Sequence, residues 1–178
     1  MKKVIIIHGW ESNPFEHLWY QEEKQSLEKE GYIVFTPQMP GESFVKEEEW
    51  VKTIKDIKPD EETILIGHSL GVPAILRYLE VVEKPVNKVI LVAGFASPLV
   101  LNYPNEEYPR KFVERPFIWD KIRKMAKEFI IFNQDHDQWV PFEKGTELAD
   151  NLDGKLIKVN GTDHFDKMDL NLINKYLT

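Results

Sequence analysis

The chain has 178 residues, 42% hydrophobic and 30% charged, a composition that suits one soluble domain with a sizeable core. Its 23 Lys and Arg against 30 Asp and Glu leave a net charge of −7, which argues against nucleic acid as a partner, since nucleic acid is held by basic clusters on phosphates. The absence of cysteine excludes disulfides, thiolate metal sites and cysteine nucleophiles, and is compatible with a reducing compartment.

The first element is the apolar run Val4–Ile7, a strand that stops at His8-Gly9. It is shorter than the roughly 7–15 apolar residues of a signal-peptide core. No later segment approaches the ~18 apolar residues of a membrane span, so a cytoplasmic location is expected. A helix is predicted over Phe15–Glu30, with Gly31 as its stop, followed by a strand at Ile33–Phe35. Phe44, Trp50, Val51, Ile54 and Ile57 fall at helical spacing within Ser43–Ile57, before Pro59. Glu47-Glu48-Glu49 in that helix reads as a solvated face rather than a metal site. The strand Ile64–Ile66 runs into Gly67-His68-Ser69-Leu70-Gly71 and a helix over Ser69–Glu83, where Pro73 fits the first turn. After the strand Val89–Ala93 comes the longest stretch between strands, Phe95–Lys127. Pro98, Pro104, Pro109 and Pro116 lie there among Phe95, Tyr103, Tyr108, Phe112, Phe117 and Trp119. It reads either as a binding loop that shapes a substrate pocket or as an irregular connection ending in a packing helix. The strand Phe129–Phe132, the helix Phe142–Leu152, the strand Leu156–Val159 and a helix over Asp166–Leu177 complete the chain.

The first five strands are continuous apolar runs rich in Val and Ile, as in strands buried on both faces of a parallel sheet. "KLIKV" alternates more and is placed at an edge. Strand and helix alternate throughout, without repeat or linker. This predicts one α/β domain over residues 1–178, a three-layer αβα sandwich on about six mostly parallel strands.

Gly67-His68-Ser69-Leu70-Gly71 is open to two readings: a plain strand-to-helix turn, or a nucleophile elbow. Gly-x-Ser-x-Gly is a weak signal by itself. Its place between an apolar strand and a helix is what an elbow requires, and it would present Ser69 at the carboxyl edge of the sheet. A serine hydroxyl needs a base, and an imidazole needs a carboxylate to orient it. Of five histidines, His164 in "NGTDHF" follows the last strand and should share that edge with Ser69. His17 falls in a predicted helix, His136 sits beside better candidates, and the His68 side chain should point away from the Ser69 hydroxyl. For the carboxylate, Asp137 is preferred over Asp135 because it lies in the turn before the helix that Pro141 opens. Asp163 ranks last as a sequence neighbour of His164. A rival reading gathers Asp135, His136, Asp137, Asp163 and His164 into a zinc or manganese site, but leaves the elbow unexplained. Oxyanion donors are expected at the N–H of Leu70 and, from the loop after the first strand, the N–H of Trp10.

"VIIIHGW", "LIGHSLG", "DHDQWVP" and "GTDHF", with "HLWY" after the first loop, resemble the small serine hydrolases grouped with retinoblastoma-binding protein 9 and its bacterial relatives. The resemblance spans nearly the whole chain. It implies a compact α/β-hydrolase fold without the usual first two strands and a Ser69, Asp137, His164 triad. No cofactor or metal is expected, since the mechanism needs none. The pocket-protein-binding motif behind the family name needs a cysteine, so that partner is not expected.

The expected activity is hydrolysis of a small carboxylic ester through an acyl-enzyme. The expected partner is a small-molecule acyl substrate. Some of Trp10, Phe15, Trp19, Phe95, Tyr103, Trp119, Trp139 and Phe165 should line an apolar pocket, with Trp10, Phe95, Trp139 and Phe165 as the substrate-binding set. The alternatives are an aminopeptidase or amidase using the same triad, for which the sequence places no carboxylate near Ser69, and a non-catalytic interaction protein on a hydrolase scaffold.

Overall fold

Valine and isoleucine fill the strands because helices cover both faces of the sheet. The computed structural model describes residues 2–16, 18–100 and 104–177, with Leu18 described by its backbone alone. His17 and Tyr103 lie outside the described residues. The strands are β1 (Lys3–Ile7), β2 (Ile33–Phe35), β3 (Ile64–His68), β4 (Lys88–Val92), β5 (Phe129–Gln134) and β6 (Lys155–Val159). They form one sheet in the order β2-β1-β3-β4-β5-β6, every pair parallel. The "KLIKV" strand is β6, at an edge as expected.

Period-two alternation sends successive residues to opposite layers. Val4, Ile6, Ile64, Ile66, Ile90 and Phe132 pack with Trp19, Tyr20 and Leu27 of α1 (Leu18–Lys29) and Ile173 of α7 (Leu170–Asn174). Ile5, Ile7, Leu65, Leu91 and Ile131 pack on the other face. Their partners there come from α2 (Glu47–Asp56), α3 (Gly71–Val81) and α6 (Phe142–Leu152). The chain winds outward from β1 to β2, then returns past β1 to β3. That reversal puts a crevice at the carboxyl ends of β1 and β3, the usual place for a site in an open α/β sheet.

Two helices begin later than their apolar periodicity suggests. Gly41 and Glu42 take left-handed conformations, φ 102° and 47°, so residues 41–46 turn before α2 starts at Glu47. α7 starts at Leu170, where the Asp169 carboxylate caps it by accepting from the Asn171 N–H at 3.0 Å.

The long stretch after β4 folds into α4 (Glu107–Glu114), α5 (Trp119–Ile122) and a 3₁₀ turn, Arg123–Met125. Pro109 does not break α4, because it occupies the first turn, where no amide partner is needed. A buried ion pair ties this stretch to α3. Arg77, fully buried, donates to the Phe112 carbonyl at 2.9 Å and to Glu80 at 3.0 Å. Glu80 also accepts from Arg115 and from the Ile118 N–H, each at 2.8 Å. Glu47 belongs to this network, 2.7 Å from Arg115 and 3.4 Å from Arg77, so that part of the triple-glutamate run is not a solvated face. Among the described residues no helix is long and apolar enough to cross a membrane.

Candidate active site

The turn from β3 into α3 is tight because two glycines let backbones touch. A Cβ on Gly67 would sit 2.9 Å from the Gly71 carbonyl, and a Cβ on Gly71 would overlap the Ile7 carbonyl of β1. Between them Ser69 takes φ 51°, a left-handed conformation that costs a non-glycine residue about 1–2 kcal/mol. The strain is held by the Ser69 N–H donating to the Val92 carbonyl at 2.9 Å and by its own carbonyl accepting from Val72 at 3.0 Å.

The loop after β5 carries Asp137. Its Oδ1 accepts from the N–H groups of Trp139 (2.8 Å) and Val140 (2.9 Å), and its Oδ2 lies 2.7 Å from Nδ1 of His164. The Asp137 side chain is fully buried and that of His164 nearly so, 12% exposed. A carboxylate held by two amides and facing Nδ1 fixes the imidazole with its proton on Nδ1 and its lone pair on Nε2. His164 itself has φ 56° and shares a cavity of about 220 Å³ with Ser69.

The other acidic candidates have other partners. Asp135 accepts from the Gly161 N–H at 3.2 Å and faces Lys158 at 3.5 Å. The Gly161 hydrogen bond holds its carboxyl below the usual range. Asp163 accepts from Gln134 at 2.6 Å. Among the described residues no three His, Asp or Glu side chains converge as a metal site would need. His68 turns away from the pocket, with Nε2 2.9 Å from the His164 carbonyl.

Trp10, Glu11, Leu70, Phe95, Leu99, Pro109, Trp139 and Val140 complete the cavity around Ser69 and His164. It therefore brings together Trp10 and Leu70, the expected oxyanion residues, with Phe95 and Trp139. The N–H of Leu70 precedes the first turn of α3, where backbone amides have no partner within the helix. The long stretch between β4 and β5 supplies Phe95, Leu99 and Pro109, so it forms a wall of the pocket and also packs as helices.

Phe165 is not part of this pocket. It is 1% exposed and belongs to the core on the α1 face, because φ 57° at Phe165, after φ 56° at His164, turns its ring inward. Trp19 is buried in the same core, Trp119 packs against the opposite core, and Phe15 is exposed.

Two contributors carry no clear sequence signal. His8 reads as a strand end, yet its buried ring braces the loop: Nδ1 meets the Gly9 carbonyl at 2.7 Å and Nε2 accepts from the Met39 N–H at 2.9 Å. Glu11 carries the only formal charge lining the cavity among the described residues. Its backbone has φ 53°, and its carboxylate accepts from the Ser43 hydroxyl at 2.5 Å.

Comparison with known proteins agrees with this architecture. A family model described as serine hydrolase matches residues 4–169. The putative hydrolase YdeN of Bacillus subtilis is 34% identical over 92% of this chain and 86% of its own length. Rat serine hydrolase RBBP9 is 31% identical over 92% of this chain and 87% of its own. The crystal structure of the ydeN gene product superposes with a TM-score of 0.88, covering 99% of this chain and 98% of that one at 30% identity. Est1E of Butyrivibrio proteoclasticus, solved with ferulic acid bound, superposes at 0.74 over 99% of this chain and 86% of its own. At 17% identity that likeness speaks to the α/β-hydrolase fold alone.

Proposed function

The chain belongs to the serine hydrolase family, and from that premise we propose that it cleaves a small carboxylic ester through an acyl-enzyme formed on Ser69. The observation that carries the reading is the 2.7 Å contact between Asp137 and Nδ1 of His164, with His164 and Ser69 facing one cavity. Nε2 of His164 takes the Ser69 proton as Oγ adds to the ester carbonyl. The N–H groups of Trp10 and Leu70 donate to the oxyanion, each worth about 3–4 kcal/mol in such sites. The tetrahedral adduct collapses, and His164 returns the proton to the departing alcohol. Water, deprotonated by the same nitrogen, then releases the acid and restores Ser69. Asp137 holds the ring and stabilises its charged form. The cavity of about 220 Å³ is smaller than the ~300–1,000 Å³ of drug-sized ligand pockets, and its aromatic walls suit a small apolar acyl group. A cytoplasmic setting goes with this reading, in keeping with a chain free of cysteine.

Glu11 favours a second reading with the same triad. Glu11 borders both this cavity and the neighbouring cleft, where its carboxylate accepts from the Ser43 hydroxyl, and a carboxylate at that rim suits an acyl group bearing an amine, as in an aminoacyl ester or amide. A panel of acyl esters, aminoacyl esters and matching amides separates the two. Comparable turnover of aminoacyl amides replaces the esterase reading with a peptidase or amidase.

The first test is intact mass after incubation with a fluorophosphonate, on wild type and Ser69→Ala. One adduct on the wild type and none on the variant is expected. A folded wild type that takes no adduct refutes an activated Ser69.

A further inference from the structure

Next to Ser69, on the α1 side of the sheet, one buried imidazole links the elbow to the loop that carries His164. His68 is 3% exposed. Its Nε2 lies 2.9 Å from the carbonyl oxygen of His164 and its Nδ1 2.6 Å from the hydroxyl of Tyr20, a fully buried residue of α1. The carbonyl can only accept, so Nε2 carries the proton. On a neutral ring Nδ1 then offers a lone pair, and the Tyr20 hydroxyl donates to it. Burial pushes the Tyr20 phenol above its usual range, so the donor stays protonated. The edge of Trp19 meets the His68 ring at 5.8 Å and leaves it little room to turn.

The accepted carbonyl belongs to the peptide between His164 and Phe165, both left-handed at φ 56° and 57°. Residues without a glycine's freedom keep such a conformation only where neighbours impose it. Phe165 anchors one side of that peptide in the core, and His68 anchors its oxygen. The orientation of this peptide sets the direction in which the His164 side chain leaves the backbone.

We infer that Tyr20 and His68 are positioning residues. The Tyr20 hydroxyl fixes the His68 tautomer, His68 pins the His164 carbonyl, and the pinned turn aims the His164 imidazole at Ser69. The inference rests on the reading of His164 as the base.

The test combines p-nitrophenyl acetate kinetics with ¹⁵N NMR of the imidazole rings at pH 7.5. In the wild type, His68 should carry a proton on Nε2 alone. Tyr20→Phe keeps the ring and removes the donor. It should give His68 a mixture of tautomers and lower kcat about tenfold, with KM unchanged within about twofold, because aim is lost and binding is not. His68→Leu should lose about a hundredfold in kcat, and His68→Gln, whose amide N–H reaches the Nε2 position, should recover most of it. Wild-type kcat in Tyr20→Phe, or an unchanged His68 tautomer, overturns the inference, and so does a Gln variant as slow as the Leu variant. If the Leu variant does not fold, Tyr20→Phe decides alone. The tautomer needs no turnover to be read. A wild type that is neither labelled nor active therefore refutes the proposed function and this inference with it, whereas an active wild type whose His68 tautomer is unchanged by Tyr20→Phe refutes this inference alone.

Discussion

Replacing Asp137 by asparagine removes one charge and keeps the shape, and the hydrogen bonds around it dictate the outcome. The two amides of Trp139 and Val140 require an acceptor, so the asparagine oxygen must take the place of Oδ1. Its NH₂ group then faces Nδ1 of His164, where Oδ2 now lies at 2.7 Å. A donor at that point forces Nδ1 to accept and moves the ring proton to Nε2, toward Ser69. On the proposed mechanism the base is lost at neutral pH although every atom stays in place. A wrong tautomer of this kind costs about 10⁴-fold in kcat, roughly 5.5 kcal/mol, in serine hydrolases generally. Both backbone hydrogen bonds survive, so the unfolding midpoint in urea should move little. The assay is steady-state hydrolysis of p-nitrophenyl acetate with the fluorophosphonate labelling rate measured in parallel, since the labelling isolates attack by Ser69 from deacylation. A kcat within tenfold of wild type refutes the orienting role of Asp137. A larger loss in Asp135→Asn would transfer that role to Asp135.

Two further predictions concern stability. Glu23 is fully buried on α1 without a hydrogen-bond partner among the described residues, and burial raises its carboxyl to about 7 from an ordinary 4.5. Between these values the folded chain keeps a proton that the unfolded chain has lost, so stability falls as pH rises, by on the order of 3 kcal/mol. Urea unfolding from pH 4 to 8 should show this slope in the wild type, and Glu23→Gln should flatten it and be the more stable protein at pH 8; equal slopes would refute the assignment. Glu80→Ala leaves the Arg77 guanidinium buried without its principal carboxylate and should cost about 3–5 kcal/mol in the same assay. A loss below about 1 kcal/mol would mean that Glu47 and the carbonyls of Phe112, Arg115 and Pro116 suffice for Arg77.

The sheet could be read from sequence because covering both faces leaves a direct mark: the apolar runs of β1, β3, β4 and β5 are buried throughout, whereas the remaining run is the edge strand β2, whose Ile33 and Phe35 are exposed although the sequence suggested burial. The tight turn around Ser69 was readable for a similar reason, since contacts at Gly67 and Gly71 exclude a side chain whatever lies around them. Asp137 is the preferred carboxylate in the sequence because a turn and a helix start come closely after it, and the structure sets it 2.7 Å from Nδ1 of His164. What could not be read depends on backbone twists with no residue preference behind them. Phe165 looks like a pocket aromatic beside His164, and two successive left-handed residues send it into the core instead. Glu11 has the same origin: φ 53° is an unfavourable conformation for glutamate, and nothing local announces that it will meet the cavity. The helix α4 was hidden by Pro109, a residue that breaks helices anywhere but in the first turn.

Those left-handed residues are not scattered evenly. Glu11, Ser69, Ala93, His164 and Phe165 all come after strands, on the carboxyl side of β1, β3, β4 and β6, where the cavity lies. Of the others, Asn105 tolerates the conformation by its own chemistry, Lys58 and Asp153 take it at helix ends, and Glu42 takes it in the turn before α2. Serine, alanine, histidine and phenylalanine have no such excuse, so each must be held by tertiary contacts. The Ala93 N–H donates to the Phe132 carbonyl at 2.8 Å, Ser69 bonds to Val92, and the ring of Phe165 is locked in the core. Glycine would relieve the strain at residues 69 and 164, but the proposed chemistry needs a hydroxyl at one and an imidazole at the other. The contacts that hold them must therefore come from parts that touch no substrate, the central strands and α1. On the proposed reading, the aim of His164 depends on Tyr20 and His68 behind it as well as on Asp137 beside it, with Asp137→Asn costing the most.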